Sequence, residues 1–106
     1  MRLIALFNLK PGIRESDYEA WARGTDIPTV RALGSIGGFS VHRVTGVLGP
    51  PAPAPYRYVE IIDITDRDGF TRDVATAAMQ EIAAEFQAMA DVVFLTTEPL
   101  PETGQE

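Results

Sequence analysis

Residues 2–9, Arg-Leu-Ile-Ala-Leu-Phe-Asn-Leu, leave almost no polar face to water. Read as a strand, they point Leu3, Ala5, Phe7 and Leu9 one way and Ile4 and Leu6 the other. A strand apolar on both sides belongs in a sheet that is covered on both faces. The segment 56–64 repeats the pattern, with Val59 and Ile61 on one side and Ile62 and Ile64 on the other. Between and after these strands the chain offers only two helical regions. Strands are expected at 2–9, at about 39–47, at 56–64 and at 91–98. Helical regions are expected from Ser16 and from Thr65 or Asp66. The order is β-α-β-β-α-β, which closes as a ferredoxin-like α+β fold, a four-stranded antiparallel sheet with both helices on one face. Two helices cover one face only. The other would be a large exposed apolar patch on a monomer, so a two-fold homodimer is expected, burying it against a second copy.

The remaining boundaries follow from local chemistry. Lys10-Pro11-Gly12 ends the first strand. Ser16 with Glu19 has capping-box spacing, so the first helix is expected to start at Ser16. Tyr18, Trp21 and Ala22 form its inward face, and Glu19 and Arg23 pair at i,i+4. Gly24 is expected to stop this helix. Asp26 or Thr25 then caps a short second one, with Pro28 in its first turn. Phe70, Val74, Ala78, Ile82 and Phe86 mark one stripe of the last helical region, with a possible break at Thr76–Ala77. Residues 1–98 form one domain, and the Pro-rich acidic residues 99–106 a tail.

Composition excludes several classes. There is no Cys among the 106 residues, which removes thiol chemistry, disulfides and Cys-ligated zinc. A net charge of −6 disfavours nucleic acid and anionic membranes as partners. The apolar run at Leu3–Phe7 is too short for a signal peptide, and no segment approaches a membrane span, so a cytoplasmic protein is expected. Leu100–Gly104 spells the sortase motif LPETG but lacks a following apolar stretch and basic tail. One His and scattered acids make no metal-ligand set, so neither metal nor cofactor is expected.

Candidate site residues gather on the sheet and first helix. His42 is the one side chain with an unperturbed pKa near 7. If the hairpin is symmetric about Pro51, residue i faces 102 − i, and His42 lies opposite Glu60. Such a pair suits a general base and its orienter, or a structural cross-strand pair. A one-residue slip would pair Arg43 with Glu60 instead. Tyr58, two residues from Glu60, could donate to a developing oxyanion. Tyr18 and Trp21 form either core or the wall of a pocket for a flat ligand. Asp26 is either a helix cap or a carboxylate at the pocket rim. Arg23 and Arg43 form surface ion pairs or hold an anionic ligand group.

The stretches RESDYEAW (14–21) and TDIPTVRALGSIGGFSVHRVTG (25–46) resemble the REDY-like HapK family, within the dimeric α/β-barrel superfamily. The resemblance covers roughly residues 2–98. It implies two ferredoxin-like sheets packed face to face and a small-molecule ligand between helices and sheet. The superfamily includes cofactor-free monooxygenases, polyketide cyclases, isomerases and haem-degrading enzymes. By that resemblance Asn8 with Trp21 is a further oxygenase option. Two functions are therefore expected: a cofactor-free acid–base enzyme acting on an apolar, aromatic or polyketide-like molecule, or a non-catalytic binding protein of the same fold.

Overall fold

A computed structural model describes residues 1–103, so Gly104 of the LPETG match and the last two residues of the tail lie outside the described residues. Strands β1 (Arg2–Leu9), β2 (Ile36–Arg43), β3 (Tyr58–Ile64) and β4 (Ala90–Thr97) form one antiparallel sheet in the order β2-β3-β1-β4. This is the ferredoxin-like arrangement expected from the element order. Helices α1 (Glu15–Trp21), α2 (Ile27–Arg31), α3 (Arg67–Val74) and α4 (Ala77–Met89) complete it. Among the described residues no helix is long and apolar enough to cross a membrane.

The second helical region breaks where its caps dictate. Asp66 opens α3 by accepting a hydrogen bond from the Gly69 amide at 2.9 Å. Gly69 suits that cap, because a Cβ there would sit 2.4 Å from the Asp66 carboxylate. Thr76 opens α4, its hydroxyl accepting from the Met79 amide. The break re-phases the apolar stripe: Ala78 is exposed, and Met79 packs with Phe70 against the core instead. Asp66→Ala is expected to cost about 1 kcal/mol of stability, readable as a lower urea midpoint with unchanged slope.

The first helical region departs from expectation. Its helix begins at Glu15, not Ser16, and no side chain caps it. It is not stopped at Gly24. Ala22–Asp26 forms one π-helical turn, closed by the Ile27 amide donating to the Ala22 carbonyl, and runs directly into α2. Pro28 supplies the cause. It has no amide hydrogen for the Gly24 carbonyl four residues back, and its ring crowds that carbonyl. A widened turn relieves the clash. Asp26 therefore has helical dihedrals and caps nothing.

The faces of the sheet are distinct. On the helix side, two clusters form the core. One centres on Ala5, Phe7, Tyr18, Tyr58 and Phe86, the other on Leu3, Val30, Phe39, Ile62 and Ile64. On the other side, Ile61, Ile4 and Leu95 lie in register across β3, β1 and β4, and Val59, Leu6 and Val93 form the next row. Leu95 is 43 % exposed and Val93 40 %. No helix of the described chain covers this six-residue grid.

Candidate functional site

The register of the β2–β3 hairpin decides which candidates meet. Val41 faces Glu60, His42 faces Val59, and Arg43 faces Tyr58. The partner sum is 101, not the 102 assumed from symmetry, and the period of two then moves every side chain of β2 to the other face. The expected His42–Glu60 pair is therefore not formed, nor is the alternative pairing of Arg43 with Glu60. His42 is exposed on the open face, its Nε2 2.9 Å from the Ser40 hydroxyl. An imidazole there is separated from the core face by the sheet itself.

Glu60 is the opposite case. It alternates with Tyr58 and Ile62 on the inner face of β3, flanked by Ala5 on β1 and Val41 on β2. It is 3 % exposed. Its Oε2 is buried with no hydrogen-bond partner among the described residues, as is the Tyr18 hydroxyl. The π-helical turn aims Asp26, 5 % exposed, toward the same space. Along β3, Glu60 thus sits between Tyr58 of one apolar cluster and Ile62 of the other.

Burial sets their protonation. Desolvation, then the charge of Asp26, pushes Glu60 up to about 8. Burial pushes Asp26 up to about 6. Both shifts favour the protonated form, and the shift is larger for Glu60 than for Asp26. Burial, then the charges of Glu60 and Asp26, also raises the Tyr18 hydroxyl, which stays a neutral donor.

Asp26 and Glu60 line a cavity of about 170 Å³ between the sheet and helices α3 and α4. Its other walls are mainly apolar, including Leu3, Phe39, Ile62, Phe70, Ile82 and Phe86. Phe94, half exposed on β4, and exposed Gln87 also line it and mark where it meets solvent.

The remaining candidates lie elsewhere. Tyr58 and Arg43 line a separate hollow of about 190 Å³ that shares no wall residue with the first. Both already serve Glu19, which accepts from the Tyr58 hydroxyl at 2.7 Å and from two nitrogens of Arg43. These bonds, Arg43 first, hold Glu19 down at about 2. Burial and the bond to Glu19 push Tyr58 up to about 12. The expected Glu19–Arg23 pair is present but long, at 3.8 Å. Trp21 stacks on Phe86 with centroids 6.0 Å apart and donates to Glu85 at 2.8 Å, so it packs the core and does not line the cavity. Tyr18 packs edge-on against Phe7 and lines the second hollow. Asn8 braces the long loop, donating to the Pro55 carbonyl and accepting from the Arg57 amide. Among the described residues no three His, Asp or Glu side chains come together to hold a metal.

Comparison with known proteins places this geometry. The chain is similar in structure to HapK from Hahella chejuensis, at 33 % identity over 100 % of this chain and 96 % of that one, with a TM-score of 0.74. It is also similar to SnoaB, a cofactor-independent oxygenase from Streptomyces nogalater, at 16 % identity, 95 % of each chain and a TM-score of 0.67. A dimeric ferredoxin-like protein of unknown function from Thermobifida fusca matches at 18 % identity, 91 % of this chain, 89 % of that one and a TM-score of 0.66. The two more distant likenesses carry the fold alone. No curated protein matches significantly. The model of the REDY-like protein HapK family matches residues 1–100, and with the whole-chain likeness to HapK itself this shows that the chain belongs to the REDY-like HapK family.

Proposed function

We propose that this protein is a homodimeric, cofactor-free acid–base enzyme acting on a small, largely apolar molecule with an acidic C–H. One observation carries the reading: Glu60, almost fully buried and without a partner for Oε2, lines an apolar cavity beside a second buried carboxyl. Structural carboxyls at such depth are paired with a cation or fully hydrogen-bonded. The fold is one that a cofactor-independent oxygenase and a dimeric ferredoxin-like protein also use, so it can host a cofactor-free site and a dimer.

The two acids divide the work by their environments. Asp26, ionised at neutral pH, takes the proton from a carbon next to a carbonyl group. Glu60, still protonated, gives its proton to the carbonyl oxygen as negative charge develops there. The C–H bond breaks, an O–H bond forms, and the product is the enol. Return of a proton to carbon regenerates the ketone or its isomer. The surrounding apolar walls keep water from competing.

2-Tetralone in D2O tests this. Purified protein is expected to speed deuterium exchange at the α-carbon beyond buffer, followed by proton NMR. Asp26→Asn and Glu60→Gln should each slow that exchange by about 10²–10⁴-fold. Binding of 2-tetralone with exchange no faster than buffer would sink the catalytic reading and leave the non-catalytic ligand-binding protein.

A further inference from the structure

Reading this cavity as the ligand site leaves open what polar group the ligand carries. The charge inventory of its walls narrows the choice. Among the described residues lining it there is no Lys, Arg or His. The arginines nearest in role, Arg43 and Arg23, face the second hollow and are engaged by Glu19. From α3, α4 and β4 the lining side chains are all non-titratable. The groups facing Glu60 are Asp26 from the π-helical turn and Tyr18 from α1, an acid and a neutral hydroxyl. The cavity thus holds a carboxyl pair with an unpartnered oxygen and no counter-cation. A buried negative charge needs either a cation or several donors, and the walls supply neither.

We infer that the ligand supplies the missing charge: the cavity takes a small apolar compound bearing a protonated nitrogen, an alkyl or aryl ammonium or iminium, and rejects carboxylates. The apolar walls hold the hydrocarbon, and the nitrogen points at Asp26 and the free Oε2 of Glu60. A carboxylate in the same place would bring a second or third negative charge into a site with no cation to offset it. This inference rests on the cavity being the ligand site, not on the chemistry carried out there. An iminium next to an acidic C–H would satisfy both readings.

Three ligands of one shape decide it: 2-aminoindane, 2-indanol and indane-2-carboxylate, titrated calorimetrically into the full chain. At pH 8 the amine is expected to bind about tenfold or more tighter than the alcohol, and the carboxylate not measurably. Between pH 8 and pH 5, as Glu60 and then Asp26 gain protons, the affinity for the amine should fall about tenfold or more, while that for the alcohol stays nearly constant. In the Asp26→Asn/Glu60→Gln double variant the alcohol should still bind and the advantage of the amine should disappear. Should that variant fail to fold, the ligand series and its pH dependence in the unaltered chain decide alone. Carboxylate binding equal to that of the amine, or an amine preference indifferent to pH, overturns the inference. Loss of the preference with 2-tetralone exchange intact sinks only the ligand class. A preference without exchange sinks only the catalytic reading.

Discussion

Glu60→Gln is expected to make the folded protein more stable at pH 8, by roughly 3–5 kcal/mol, while removing the acid from the site. The sign follows from the direction of the shift. An unfolded Glu releases its proton near 4.5, and the folded one holds it to about 8. Between those values the folded state binds the extra proton, so raising the pH through this window drains stability. Asp26 adds the same trend between its ordinary 3.8 and about 6. Glu19, held at about 2, acts oppositely but only below its ordinary 4.5, where stability falls as pH drops. The unaltered protein should therefore be most stable near pH 5 and melt progressively lower toward pH 8. Gln fills the same space without a charge, so the variant should gain roughly 10–20 °C at pH 8 and almost nothing at pH 5. Thermal melts of both proteins across pH 4–9 check this. A melting temperature in the unaltered protein that is flat or rises from pH 5 to pH 8 would show that Glu60 does not ionise in a buried site.

Ile4→Asp is expected to convert the proposed dimer to monomer. Ile4 sits at the centre of one row of the open face, between Ile61 and Leu95. It is only half-buried in the single chain, so the isolated fold tolerates a polar group there. In a two-fold interface over this face each substitution occurs twice and buries two unpaired carboxylates. At about 2–3 kcal/mol per copy the dissociation constant rises about 10³–10⁴-fold. Sedimentation velocity at micromolar concentration should show a dimer for the unaltered chain and a monomer for the variant, with unchanged far-ultraviolet circular dichroism. A monomer in both cases would leave the six-residue grid without the proposed partner.

The sequence carried the sheet well because strand 2–9 and strand 58–64 obey a simple period, and their two apolar faces are visible in any register. The start of the last helical region at Thr65 or Asp66 and the break at Thr76–Ala77 were legible because such signals are local. The site was harder for two physical reasons. The hairpin joining Arg43 to Tyr58 is long and Pro-rich, so no tight turn fixes its register, and an error of one residue sent His42 to the wrong face. Asp26 looked like a cap because Gly24 and Pro28 bracket it, and both usually end helices. Whether a helix stops or widens at such a place depends on what the next turn packs against, and that is a tertiary property. Glu60 and Asp26 were both legible as pocket candidates, but that they line one cavity together could not be read without the fold.

The π-helical turn ties the site to a residue outside it. An α-helix advances about 100° per residue. Ala22–Asp26 accommodates one residue more than a regular turn, and the direction of Asp26 is set by that surplus. The proline that forces the turn to widen therefore also fixes where the acid sits, so the direction of Asp26 into the cavity is tied to a residue that lines no part of it.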